Sequence, residues 1–219
     1  VRSRIAAACA RAGRDPAGVT LVAVTKSVDA ERAAELVRLG VRDLGENRME
    51  SLAGKREALA AQGLPVRWHM IGHLQTNKVR RTLPHVDVLH SLDRTSLLEA
   101  LGAELARGDG PPLAAFAQVN VSGETSKGGF DEAGLWEALD AARSIPRLEV
   151  RGLMTMAPVS DRAEDSRPVF RRLRELRDAA RFRGYLQALD LSMGMSQDFE
   201  IAVEEGATHV RVGTILYTG

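Results

Sequence analysis

Short apolar, β-branched runs alternate with longer segments of helical periodicity along the whole chain. Arg2, Arg4, Arg11 and Arg14 surround an alanine-rich segment, which predicts an amphipathic helix over 1–12. The run LVAVTK at 21–26 reads as a buried strand of a parallel sheet. Ala33, Leu36, Val37 and Gly40 keep helical spacing, so a helix is predicted over 29–39 with Gly40 as its stop. Strand 41–47, helix 49–61, strand 66–73 and a short helix 76–82 follow. After Pro84 comes strand 86–90, and Ser96 with Glu99 is spaced for a capping box that opens a helix reaching 107. The loop Gly108-Asp109-Gly110-Pro111-Pro112 is the sharpest turn signal. Beyond it come strand 113–121, helix 131–143, strand 150–156, helix 165–182, strand 189–193, helix 198–205 and strand 209–216.

About eight strands, each but the last followed by a helix, match the small end of the (β/α)8 TIM-barrel range. The opening helix supplies the outer layer that a helix after the last strand would have filled. No linker separates two domains and no fixed-period repeat is present, so residues 1–219 are expected to form one α/β domain. An open doubly wound sheet is the other architecture the pattern allows, because periodicity does not reveal closure.

Composition narrows the function classes. The chain has 219 residues, 44% hydrophobic and 27% charged, as in an ordinary globular protein. A formal net charge of +1 gives no global attraction to nucleic acid or to an anionic membrane. The arginine-rich long helix (Arg167, Arg171, Arg172, Arg174, Arg177, Arg181 and, just beyond it, Arg183) offers a basic surface, but Glu175 and Asp178 interrupt it. No apolar run is long enough to span a bilayer. The single cysteine, Cys9, excludes an internal disulfide and fits a reducing cytoplasm. The chain begins on Val1 rather than methionine, which suggests that some N-terminal residues are missing.

In a barrel of parallel strands the ligand face collects residues from the strands' C-terminal ends. Lys26 shares a strand face with Val22 and Val24 and would emerge there partly desolvated. An amine in that setting is a nucleophile for an aldehyde or ketone, although a lysine that merely reaches solvent from a strand end gives the same pattern. Asn47 either contacts ligand or caps the following helix. His73 stands with His69 and Ile71 on one strand face, and no carboxylate at ligand spacing argues for zinc. Met154 and Met156 suit a core as well as a site. The segments Leu191-Ser-Met-Gly-Met-Ser196 and Val210-Arg-Val-Gly-Thr214 bring hydroxyls of Ser192 and Ser196 and the backbone of Gly213 and Thr214 to the last two strand ends. Barrels commonly bind phosphate there. Arg211, two residues before Gly213, would point at the body of the ligand. The set suits a small phosphorylated aldehyde.

The pieces VAVTK, GEN, WHMIGHLQTNKVR, GLMTMAP and LSMGMSQDFEIAVEEGATHVRVGT resemble the pyridoxal phosphate homeostasis protein family, the small branch of the barrel fold that also contains alanine racemase. The resemblance runs from the first helix to the C-terminus. It implies a TIM barrel without racemase's second β-domain. Lys26 would form a Schiff base with pyridoxal 5′-phosphate (PLP), and Arg211 would face the pyridine nitrogen. Ser192, Ser196, Gly213 and Thr214 would hold the phosphate, with Asn47, His73 and Met154 lining the ring. Two positions depart from the family: Thr25 stands where serine is more usual, and Arg48 where an aromatic residue follows GEN.

A ring nitrogen facing a protonated arginine stays unprotonated, and the ring is then a weaker electron sink. By resemblance, racemase offsets this with a second base, a tyrosine from a partner subunit. Tyr185 and Tyr217 have no evident catalytic placement here. The expectation is a monomeric, cytoplasmic, non-catalytic PLP-binding protein that buffers the cofactor or delivers it to PLP-dependent apo-enzymes. It would bind no metal, nucleic acid or membrane. The alternative is a PLP-dependent racemase or lyase. Lys127 in the Gly123–Gly129 loop is either a second amine for the cofactor or a solvated loop lysine.

Overall fold

The computed structural model describes residues 1–124, 128–185 and 190–217; Lys127 lies outside them. The strands are β1 (Thr20–Val24), β2 (Asp43–Glu46), β3 (Arg67–Met70), β4 (Val88–Leu92), β5 (Leu113–Gln118), β6 (Leu148–Met154), β7 (Asp190–Ser192) and β8 (His209–Val212). They pair in parallel in chain order, and β1 pairs with β8, so the sheet closes into a barrel. Closure excludes the open doubly wound alternative. The helices are α1 (Arg2–Arg11), α2 (Ala30–Arg38), α3 (Met49–Ala61), α4 (Val79–Thr82), α5 (Thr95–Arg107), α6 (Glu132–Ala142), α7 (Arg167–Phe182) and α8 (Phe199–Glu204). No helix among the described residues is long and apolar enough to cross a membrane.

Helix starts follow local chemistry where an aspartate stands at the cap. Asp29 accepts from the Arg32 N–H at 2.9 Å and opens α2; Asp131 accepts from the Gly134 N–H at 2.8 Å and opens α6. The Ser96–Glu99 capping box does not form. Arg94 occupies the N-cap of α5 without a side-chain cap bond, and its guanidinium is held instead by Asp93 at 2.5 Å and the Leu74 carbonyl at 2.7 Å. Those tertiary bonds set the entry of the chain into α5. The helix predicted over 76–82 is a 3-10 turn, Thr76–Lys78, running into the single turn of α4.

Alternation along each strand separates two cores. Ala23, Leu44, Trp68, Leu89, Ala115, Leu153, Leu191 and Val210 face outward and pack beneath the helices. Val88, Phe116 and Met154 face inward and form a small apolar cluster within the barrel. α1 packs along α8 through the Arg4–Glu200 and Arg11–Glu204 pairs, both at 2.7 Å. The arginines of α7 are largely paired: Arg167 with Glu164, Glu204 and Glu205, Arg171 and Arg174 with Glu205, and Arg172 with Glu132 and Glu175. Much of the basic stripe seen in the sequence is thus engaged by carboxylates.

Behind β1 and β2 lies a buried ion pair. Glu46 on β2 accepts from Lys55 Nζ of α3 at 2.6 Å and from the Thr25 hydroxyl at 2.6 Å, and Lys55 also donates to the Thr25 carbonyl at 2.6 Å. Glu46 Oε2 has no hydrogen-bond partner. Lys55 is the only cation in direct contact with this carboxylate among the described residues. Lys55→Met should lower the unfolding free energy by about 3–5 kcal/mol, because it strands a buried charge. The double variant Glu46→Leu/Lys55→Met should recover most of that loss. Urea denaturation checks both; a single variant within 1 kcal/mol of the parent protein would show that the pair is not buried as described.

Candidate functional site

Residues following the C-terminal ends of β1, β2, β3, β7 and β8 meet at one mouth of the barrel. β1 ends at Val24 and Thr25 is buried, so Lys26 leaves the sheet at the rim. Its side chain is exposed and makes no hydrogen bond or ion pair with the described residues. This corrects the expectation of a partly desolvated amine: the strand stops before Lys26 and no described neighbour covers it. Continuing the β1–β2 register past Val24↔Gly45 brings Asn47 beside Lys26. Asn47 is exposed and does not cap α3, whose N-cap is Arg48 without a side-chain bond. The capping alternative for Asn47 is thereby removed.

The β8 side of the mouth is built by glycines. Gly213 packs so closely on Val24 that a Cβ there would lie 3.2 Å from Val24 Cβ, which draws the end of β8 against the strand of Lys26. The Gly213 N–H donates to the Ser196 hydroxyl at 3.2 Å, joining the two segments the sequence assigned to phosphate. Thr214 opens the turn that follows. Gly194 adopts φ +93°, and a Cβ would sit 2.5 Å from Ala202 Cβ, so only glycine makes the turn from β7 that carries Ser196.

Arg211 lies beneath this rim, 5% exposed. Its guanidinium donates to the Ser192 hydroxyl at 2.5 Å and to the Thr155 carbonyl at 3.0 Å. No carboxylate among the described residues lies within ion-pair distance of it. Burial pushes its pKa down to about 10, with Asp198 opposing from a distance, so it remains a cation at neutral pH. Burying an ion costs several kcal/mol, whereas hydrogen bonds to a charged group contribute roughly 1.5–3 kcal/mol each. The remaining donors of Arg211 therefore favour an acceptor brought by a ligand.

Ser192 is placed differently from its expected role. Its hydroxyl is buried and engaged by Arg211 and by His90 Nδ1 at 2.7 Å, so it supports the arginine from inside the barrel. Met154 is fully buried with Val88 and Phe116 and forms apolar packing in the interior. His73 is exposed at the rim, with Nδ1 2.8 Å from the buried Asp93 carboxylate, which orients the ring. A cleft of about 510 Å³ beside Leu139, Leu148 and Tyr185 opens at the N-terminal end of β6 and contains none of these groups.

Sequence reasoning missed the polar column below Arg211. His90 Nε2 lies 2.8 Å from His69 Nδ1, and His69 Nε2 lies 3.0 Å from Asp43 Oδ1 near the opposite mouth. His209 packs against Phe116, with ring centroids 5.1 Å apart, and its Nδ1 is 2.9 Å from Thr208 Oγ1. The signal was present as inward parity: Asp43, His69, His90, His209 and Arg211 each fall on the inner face of a strand. Among the described residues no cluster of His, Cys, Asp or Glu has the arrangement of a metal site.

An eight-stranded parallel barrel with a free lysine, a buried arginine and a glycine–hydroxyl rim at its C-terminal mouth defines a barrel of the alanine racemase N-terminal type. The family model for the alanine racemase N-terminal domain matches residues 1–219. Relatives called pyridoxal phosphate homeostasis protein are 44% identical over 218 residues in Aquifex aeolicus (99% of this chain, 94% of the relative) and 43% identical over 219 residues in Pseudomonas aeruginosa (99% and 91%). The chain belongs to the pyridoxal phosphate homeostasis protein family. Among solved structures, PipY of Synechococcus elongatus with PLP bound superposes with a TM-score of 0.84 at 33% identity, covering 99% of each chain. Alanine racemase of Corynebacterium glutamicum shares the fold, with a TM-score of 0.69 at 17% identity over 97% of this chain and 58% of that one.

Burial lowers the pKa of all three interior histidines, that of His209 to about 3. In the unfolded chain they titrate near 6.5. Below that pH the unfolded state binds protons that the folded state does not, so stability is full above about 6.5 and falls with acidification. His209, held neutral throughout that range, should by itself remove about 2 kcal/mol between pH 7 and pH 5. Urea unfolding at the two pH values measures the loss, and His209→Gln should reduce it by about one histidine's share. A flat profile would mean that the interior histidines are not held neutral.

Proposed function

We propose that the protein binds PLP at the C-terminal mouth, with Lys26 as the covalent attachment point, and serves in PLP homeostasis rather than in catalysis. The observation that carries this reading is the pairing of a solvent-reached, unpartnered Lys26 with a buried Arg211 that lacks a carboxylate, in a chain whose relatives bear the homeostasis name. When bound, the cofactor supplies an aldehyde that condenses with a primary amine and a ring that withdraws electrons. Lys26 Nζ bonds to the aldehyde carbon with loss of one water. Arg211 donates to the ring nitrogen. The Ser196–Gly213–Thr214 rim receives the phosphate, Asn47 and His73 border the ring, and Ser192 and Met154 support the site from below.

The open rim suits reversible carriage. Lys26 is exposed, so small amines and acceptor apo-enzymes reach the bond from solvent. We place this task in the cytoplasm, in a monomer. The racemase or lyase alternative has one observation in its favour, the His73–Asp93 pair, which resembles an oriented base. Against it, the Tyr217 hydroxyl donates to the Val24 carbonyl at 3.1 Å, and burial together with Glu46 raises its pKa to about 12. Tyr185 stacks on Trp136, away from the mouth.

Incubation with PLP followed by borohydride should place a phosphopyridoxyl group on the peptide containing Lys26. Lys26→Ala should lose both the adduct and the long-wavelength absorbance band. An unchanged band in Lys26→Ala would overturn the assignment. Exchange of an amino acid's α-proton in heavy water, well above the rate with free PLP, would instead establish the catalytic reading.

A further inference from the structure

The interior column is a directed chain, and its direction is determined from both ends. An arginine only donates, so Arg211 gives a hydrogen to Ser192 Oγ at 2.5 Å. The Asp43 carboxyl is ionised: burial opposes this, but the hydrogen bond from His69 and the nearby Arg67 cation hold its pKa below the usual carboxylate value. Asp43 therefore only accepts, and His69 Nε2 carries the proton it receives at 3.0 Å. Neutral His69 then accepts at Nδ1 from His90 Nε2–H at 2.8 Å. His90 in turn accepts at Nδ1 from the Ser192 hydroxyl at 2.7 Å. Every donor points from Arg211 toward Asp43, and no member has a second arrangement while both ends hold.

We propose that Asp43, near the mouth of the barrel opposite the ligand, is a positioning residue that fixes the orientation of Arg211 through His69, His90 and Ser192. The proposal rests on the PLP-binding reading for what Arg211 addresses, but the chain itself is a property of the unliganded protein. With the Ser192 hydroxyl proton committed to His90, its oxygen lone pairs are turned to Arg211, and the remaining guanidinium donors are aimed at the ligand. The other groups facing the column do not supply an alternative anchor. Arg67 lies 3.7 Å from Asp43 and is itself a donor. His209 sits beside His69 and His90, with ring centroids 6.3 and 6.2 Å away, but is bonded to Thr208. Phe116 stacks on His90 and offers no acceptor. Asp87 acts on His69 only at a distance, while its carboxylate is held by Arg56 and the Trp68 N–H.

The test reads tautomers. In protein labelled with 15N-histidine, long-range proton–nitrogen correlation should show His69 and His90 as neutral Nε2–H tautomers. Asp43→Leu removes the terminal acceptor and allows the column to reverse. His90, which does not touch residue 43, should then lose its pure Nε2–H pattern. Asp43→Asn keeps an acceptor oxygen and should retain it. If Asp43→Leu does not fold, Ser192→Ala, which breaks the column at its other end, should leave His69 and His90 as Nε2–H tautomers, because Asp43 alone still sets their direction; a change in His69 in that variant would overturn the relay. On loading with PLP, Asp43→Leu should bind about fivefold to tenfold more weakly, the scale of one ordinary net hydrogen bond. Borohydride should still mark Lys26. A His90 tautomer unaffected by Asp43→Leu, or unchanged PLP affinity in that variant, would overturn the relay. Failure of the unsubstituted protein to bind PLP would overturn the functional reading, leaving the tautomer result to decide whether the column is directed.

Discussion

A cation without a carboxylate partner, held inside a barrel of strands, is the constraint around which the interior is arranged. Arg211 is buried, and a buried guanidinium is tolerable only if its donors are satisfied. Part of that need is met by Ser192 and the Thr155 carbonyl. In the proposed column Ser192 in turn donates to His90, His90 to His69, and His69 to Asp43, which ends the chain. Barrels usually fill this space with branched apolar side chains. Here apolar side chains such as Val88, Phe116 and Met154 fill only part of the described interior, and the polar column occupies the rest.

The same arrangement separates two kinds of lysine. Lys55 is buried and committed to Glu46 and the Thr25 carbonyl, so its role is to hold α3 against the backs of β1 and β2. Lys26, on the next residue after Thr25, is on the opposite face and free. A single step along the chain thus passes from a buried structural contact to an exposed amine at the rim, because alternate residues face alternate layers. The rim around Lys26 is shaped by backbone more than by side chains. Gly194 turns the chain where other residues clash, and Gly213 lets β8 close against Val24.

The proposed preference for carriage over catalysis rests on these placements. Arg211 is fixed as a donor, which disfavours a protonated ring nitrogen and hence strong electron withdrawal from a bound amine. The tyrosines among the described residues are occupied elsewhere, one on the Val24 carbonyl and one on Trp136. What stays accessible is the amine itself. On the proposed function, that combination suits uptake and release of an aldehyde better than carbanion chemistry.

Period and punctuation along the chain were enough to read the order of strands and helices, the placement of Lys26, Asn47, Gly213 and Arg211 near strand ends, and a role for α7 as an outer helix. These follow from local rules: strands alternate, helices repeat every 3.6 residues, and glycine or aspartate marks the ends. Strand limits were read too long, as at 66–73 and 209–216, because an apolar rim continues the pattern after pairing has stopped. The Ser96–Glu99 cap failed because Arg94 takes the N-cap, tied to its neighbour Asp93 and, through the fold, to the Leu74 carbonyl twenty residues away. Closure of the barrel, the exposure of Lys26, the turn of Ser192 away from the rim and the column from Arg211 to Asp43 were decided only by tertiary structure. Each depends on which strands become neighbours across the barrel, and hydrogen bonds between inward side chains of different strands leave no trace in the spacing of any one of them.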